Sequence, residues 1–218
     1  MILGPSFFAR PATSLAQALL GKVIRHKVEG YWRSARIIET EAYETTERAS
    51  HSSRGITCAR RAMCMPPGTI YMYYARGSDS LNFSGLGEGD AVLIKSGIAL
   101  LDNKEALQEM LRANPVGDRQ RAIHKLCSGQ TLLCKSLGLK VEDWNAEQLN
   151  PAQLRVEHDG YRPSSVLKCR RLGIPAGRDD HLLYRFIDEN YANSSTKNPL
   201  KQKSKKLDED FYRISPPI

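Results

Sequence analysis

The chain has 218 residues, 41% hydrophobic and 26% charged. That length suits one large globular domain, able to bury roughly 70% of its unfolded surface without a disulfide or metal staple. With 32 Lys and Arg against 24 Asp and Glu, the formal net charge is +8, a balance that favours an anionic partner such as nucleic acid or an acidic membrane surface. No apolar run approaches the ~18 residues of a membrane span, and the N-terminus has no basic region ahead of an apolar one, so neither a span nor a signal peptide is expected.

In chain order, residues 12–20 predict a short helix, capped by Thr13 or Ser14 and stopped by Gly21. KVIRHKV and RSARIIETEAY predict a hairpin around Glu29-Gly30. A polar connection rich in Ser, Thr and Arg follows from Glu44 to Cys64, long enough to point to a functional loop. MPPGTIYMYYA predicts a turn set by Pro67-Gly68 and then a strand, and GLGEGDAVLIKSG a glycine-rich turn and an apolar strand. Asp102 with Glu105 forms the pattern of a capping box for a helix to about Arg112. A further helix is expected from Ser128-Gly129 to Leu137, with late strands in VLKCRRLGI and HLLYRFI. From Asn193 the chain becomes polar and lysine-rich, which predicts a weakly ordered tail (193–218) after a main domain of residues 1–192. Strands and helices do not alternate regularly, so the expected class is α+β.

The five cysteines are odd in number and widely spaced, and the five histidines form no HxxxH pair. Buried free thiols in a reducing compartment are the reading, with no metal site.

ETEAY raises the functional question. With a side-chain period of two, Ile37, Glu39, Glu41 and Tyr43 share one face of a strand. Those carboxylates either pair with arginines such as Arg33 or Arg36, or one of them is a general base beside an aromatic ring that holds a planar or cationic substrate. In GTIYMYY, Tyr71 and Tyr73 share a second face. Two strands presenting tyrosines in a basic chain favour stacking of a nucleobase.

The order of LAQALLGKV, ARIIETEAY, ASHSSRG, MPPGTIYMY, LNFS, GEGDAVLIKSG, LCSGQTLLCKSLGL and RRLGIPAG resembles the monofunctional alkyladenine (3-methyladenine) DNA glycosylases, over residues 7–187. The resemblance implies a single mixed α/β domain around a curved antiparallel sheet flanked by helices, with no metal or organic cofactor. It implies damaged double-stranded DNA as partner, a monomer, and a cytoplasmic enzyme (nucleoid-associated in a bacterium, nuclear in a eukaryote).

By the same resemblance the general base falls on Glu41 and the base-stacking walls on Tyr43, His51 and Tyr73. The purine-discriminating asparagine falls on Asn82, and a carbonyl that holds the nucleophilic water on Leu172. The chain departs from the family pattern at three places. Lys95 stands where an arginine is usual beside that water, and Leu132 where a lysine is usual. Arg76 replaces the tyrosine that wedges into the gap of the flipped nucleotide, leaving Arg76 and Tyr74 as candidates for that DNA contact. Two other classes stay open at this point: a noncatalytic nucleic-acid-binding module with Glu41 in a structural ion pair, and a carbohydrate hydrolase using Glu39 and Glu41 at roughly 7 Å.

Overall fold

The structure, a computed structural model, describes residues 1–75, 77–204 and 206–216. Arg76 lies outside the described residues. The elements are helices α1 (Pro5–Phe8), α2 (Ala12–Leu19), α3 (Lys104–Ala113), α4 (Gln130–Leu137) and α5 (Val141–Trp144). The strands are β1 (Val23–Val28), β2 (Tyr31–Tyr43), β3 (Ile70–Ala75), β4 (Ser78–Ser84), β5 (Ala91–Ala99), β6 (Leu154–Glu157), β7 (Val166–Cys169), β8 (Arg185–Asp188) and β9 (Phe211–Ile214). Among the described residues the nine strands join one open sheet, every named pair antiparallel, with main order β3-β4-β5-β2-β8-β7-β9. That is the α+β architecture expected.

Strand β2 organises the molecule. Its first half pairs with β1 (Val28↔Tyr31 to Val23↔Arg36), and β1 carries β6 beyond it. Its second half pairs with β8 on the same edge, while β5 runs along the other edge from Ala35 to Tyr43. The β2–β5 register slips around Glu39, and Lys95 has no Cα partner there. Such a slip bends a strand and re-aims its side chains. Here the shifts flank Glu39, the second of them falling between the two glutamates of ETEAY.

Local chemistry explains several elements. The β1–β2 connection has only two residues, Glu29 (φ 51°) and Gly30 (φ 88°), the paired positive φ values of a type I′ hairpin turn. The Pro67-Gly68 turn closes with the Thr69 N–H donating to the Pro66 carbonyl at 3.1 Å, Gly68 taking φ 88°. A Cβ at Gly68 would stand 3.0 Å from the Phe8 ring, so backbone and core both ask for glycine. Helix α2 buries Ala12, Leu15, Ala16 and Leu19, an i, i+3, i+4, i+7 stripe, in the core shared with Ile37, Phe83, Ile94 and Phe186. The Thr40 hydroxyl donates to the Ala16 carbonyl at 2.8 Å, tying that helix to β2.

Some expectations need correction. Thr13 and Ser14 lie inside α2, whose N-cap is Pro11. Asn103, not Asp102, caps α3, accepting from the Ala106 N–H at 2.7 Å, because Asp102 is drawn to Arg25. The late strands are shorter than VLKCRRLGI and HLLYRFI suggested: Arg170 onward leaves the sheet, and residues 181–184 precede it. The described part of the tail from Asn193 is not loose. It forms 3-10 turns and then β9, which pairs with β7 from Val166↔Ile214 to Cys169↔Phe211, burying Phe211 against Leu167 and Ile187. Of the cysteines, Cys127, Cys134 and Cys169 are buried free thiols as expected, while Cys58 is exposed and Cys64 half-buried.

Candidate active site

Glu39 and Glu41 are both fully buried, yet their surroundings differ. Glu39 Oε1 accepts from Arg185 Nε at 2.6 Å and lies 2.6 Å from its Nη2. Glu39 Oε2 accepts from the Ser96 hydroxyl at 2.5 Å and from the Thr196 N–H and hydroxyl at 2.8 and 3.0 Å. Both oxygens are engaged, so the structural ion pair considered for ETEAY exists at Glu39. Its partner is Arg185 from β8 and not Arg33 or Arg36, since Arg36 pairs with Asp159. A carbohydrate hydrolase needing Glu39 at an open cleft has no support in this arrangement.

Glu41 is held more lightly. Its Oε2 accepts from the Tyr43 hydroxyl at 2.9 Å and lies 3.5 Å from Lys95 Nζ, while Oε1 accepts from the Leu172 N–H at 3.2 Å. Those three residues line a cleft of about 700 Å³, which places the Glu41 carboxylate directly behind its wall. Leu172 is brought there by its neighbour: Arg171 donates to the Ala42 carbonyl at 2.7 Å and to Glu47 at 2.6 Å, a buried pair that ties the 170–175 loop to the end of β2. The Arg171 guanidinium also backs the Tyr43 ring at 4.6 Å from its centroid. Burial, then the Glu41 charge, push the Tyr43 hydroxyl well above its ordinary range, so it stays a proton donor to the carboxylate.

The aromatic residues expected at the site come together. His51, on the 44–64 connection, packs edge-on to Tyr73 at 4.6 Å, and its Nδ1 lies 2.8 Å from the Tyr71 hydroxyl. Tyr71 and Tyr73 sit 5.5 Å apart on the β3 face read from the sequence. Burial and then the charges of Arg60, Arg54 and Arg178 lower the His51 pKa, favouring a neutral ring. Asn82 is buried on β4 and donates to the Tyr71 carbonyl at 3.0 Å, which fixes its side chain beside Tyr71 and Tyr73. Tyr43, His51, Tyr73, Asn82, Lys95 and Leu172 all line the one cleft, as does Leu132. Tyr74 does not; it is exposed on the opposite face of β3.

Sequence reasoning passed over four groups that matter here. Arg54, Arg178, Thr196 and Lys197 also line the cleft, where the lining residues include four cations (with Lys95) and no carboxylate among those described. Arg171 and Arg185 act from behind it. Only the arginine-rich composition of the 44–64 connection signalled any of this. Among the described residues no group of three or more His, Cys, Asp or Glu is arranged to hold a metal ion, and no helix is long and apolar enough to cross a membrane.

The arrangement pairs a buried carboxylate with a cleft lined by aromatic rings and cations. Comparison with known proteins gives a consistent result. The family described as methylpurine-DNA glycosylase matches residues 6–192. A protein of Pseudomonas syringae pv. syringae named "Putative 3-methyladenine DNA glycosylase" is 54% identical over 200 residues, 90% of each chain. One of the same name from Pseudomonas aeruginosa (strain LESB58) is 53% identical over 204 residues, 92% of this chain and 85% of its own. The mouse protein named "DNA-3-methyladenine glycosylase" is 38% identical over 184 residues, 79% of this chain and 54% of its own.

Proposed function

The chain belongs to the methylpurine-DNA glycosylase family, a hydrolase of N-glycosyl bonds in DNA repair, and from that premise we propose how its residues release a damaged purine. The damaged nucleotide of a duplex turns out of the stack into the cleft, and its base is held among Tyr43, His51 and Tyr73. An alkylated purine is cationic, and electron-rich ring faces favour it without a strict hydrogen-bond code. Asn82, immobilised by the Tyr71 carbonyl, crowds purines that carry an extra amino group.

Glu41 takes the proton of a water. The resulting hydroxide bonds to the sugar C1′ while the C1′–N bond breaks, its electron pair leaving with the base. The products are a free purine and an abasic site. As the bond loosens, the sugar gains oxocarbenium character, and a carboxylate in a dry setting stabilises that charge. Lys95 makes the longest of the three contacts to Glu41 and lines the cleft, so the gap between them is where water enters. The Leu172 backbone orients this side of the site: its N–H holds Glu41, and its carbonyl is assigned to the water. Tyr74, exposed on β3, and Arg76 are the groups assigned to the gap left in the DNA. In this reading the protein acts as a monomer on chromosomal DNA, at the nucleoid of a bacterium or in the nucleus of a eukaryote.

The observation that carries this reading is the contrast inside ETEAY. One buried glutamate is saturated by an arginine and three donors; the other sits behind a tyrosine, a lysine and a loop N–H that face the cleft. Incubation with alkylated duplex DNA, followed by chromatography of released bases, tests it. Free methylated purines with no strand cleavage are expected. Binding of such DNA with no base release would leave a noncatalytic module.

A further inference from the structure

Residues 193–197 lie beyond the stretch matched by the family, 6–192, yet they are fastened to the centre of the molecule. Lys125 Nζ donates to the Asn193 carbonyl, and the Ser128 hydroxyl donates to the Ser195 carbonyl at 3.3 Å. Thr196 gives both its N–H and its hydroxyl to Glu39 Oε2. Ser96, itself bonded to that oxygen, lies 3.1 Å from the Thr196 hydroxyl and accepts from the Gly129 N–H at 3.0 Å. Arg185, the Glu39 partner, donates through Nη2 to the Lys197 carbonyl at 2.7 Å. One fully buried carboxylate, two residues from Glu41, thus organises a polar segment at the surface. A solvated tail needs no such anchor, because burying a charge is costly unless it is fully paired.

Thr196 and Lys197 line the cleft together with Ser128 and Gly129, and Arg54 and Arg178 line it too. The Lys197 ammonium has no carboxylate partner among the described residues. We propose that this segment is a built part of the nucleic-acid interface: Glu39 and Thr196 are positioning residues that hold Lys197 at the cleft rim, where its ammonium contacts a DNA phosphate. The proposal rests on the glycosylase reading for its ligand. It explains why a strand beside the general base keeps a second buried glutamate. Through Glu39, the same strand that presents Glu41 also presents a phosphate contact, so backbone register and reacting bond are set together.

The test is binding of the full chain to undamaged and alkylated duplexes across a salt series, with urea midpoints as the folding check. Lys197→Ala is expected to weaken both complexes alike, by about 3–10-fold near 0.1 M salt, and to reduce the slope of log K against log salt by about 0.9. Thr196→Val, which keeps shape and loses the hydroxyl, should act in the same direction and lower the same slope, and Thr196→Ser should restore it. The double variant should lose less than the sum of the two single losses. Unchanged affinity and slope in Lys197→Ala would overturn the assignment. Strict additivity, or weakening by Thr196→Val with an unchanged slope, would overturn the positioning role. Base release by the wild-type protein is followed in parallel. Its absence would sink the glycosylase reading, whereas release with an unaltered Lys197→Ala slope sinks only this inference.

Discussion

Glutamine at position 39 should cost far more stability than glutamine at position 41, although both side chains are fully buried on one strand. At Glu39 the carboxylate faces donors on both oxygens: Arg185 on one, Ser96 and Thr196 on the other. Whichever way an amide turns, its NH₂ meets either a guanidinium or the Thr196 N–H, and the arginine is left buried without a counter-charge. Breaking such a pair costs about 3–5 kcal/mol. At Glu41 an amide oxygen can keep the Leu172 N–H while its NH₂ donates to the Tyr43 hydroxyl, and Lys95 is partly open to the cleft. About 1 kcal/mol or less is expected there. With a urea m-value of about 2–3 kcal/mol per M, the Glu39→Gln midpoint should fall by about 1–2.5 M and the Glu41→Gln midpoint by under ~0.5 M. Equilibrium urea unfolding followed by tryptophan fluorescence measures both. Equal midpoints at unchanged m would refute the division of labour between the two glutamates.

Three further outcomes follow from the same geometry. The folded-state pKa of His51 lies below its ordinary value of 6.5, so the unfolded chain binds the proton more tightly; the stability linked to this ring is complete above pH 6.5 and is lost as pH falls through the lowered folded value. His51→Asn, which retains a group near Nδ1 for Tyr71, should therefore show a shallower decline of the urea midpoint below pH 6.5 than wild type; identical pH profiles would contradict the shift. Tyr73→Ala should weaken binding of lesion DNA relative to undamaged DNA by about 1–3 kcal/mol while Tyr73→Phe does not, measured by competition, because stacking needs the ring and not the hydroxyl. Truncation after Asn193, which a loose tail would tolerate with excision intact, should instead cost solubility or lower the unfolding temperature, since it removes Thr196 from Glu39 and β9 from the sheet; a fully stable truncated protein would contradict the anchor.

How much of this was legible in the sequence follows from how local each signal is. Glu29-Gly30 announces its hairpin because positive φ at two successive residues is a property of the turn itself. The Pro67-Gly68 turn and the α2 stripe are equally local. Asp102 and Asn103 are adjacent cap formers, and only the distant Arg25 decides which of them caps. Strands β4, β6 and β9 carry little β-branched character, and β9 finds its partner more than 40 residues back, so spacing alone does not reveal it. In the site, strand period brings out Tyr43 and Tyr73, while His51, Asn82 and Lys95 come only from the family resemblance; all five share one cleft. The partner of Glu39 was not. Nearby arginines were the natural candidates, whereas Arg185 arrives 146 residues later through the pairing of β8 with β2. The same long-range pairing hid the role of residues 193–197.

In the proposed mechanism Glu41, and not its saturated neighbour Glu39, activates the water. Single-turnover release of 3-methyladenine from methylated duplex DNA, with enzyme in excess, tests it in Glu41→Gln, a change expected to leave the fold and lesion binding in place. The rate is expected to fall by about two or more orders of magnitude. A folded Glu41→Gln variant releasing the base at a near-wild-type rate would contradict it.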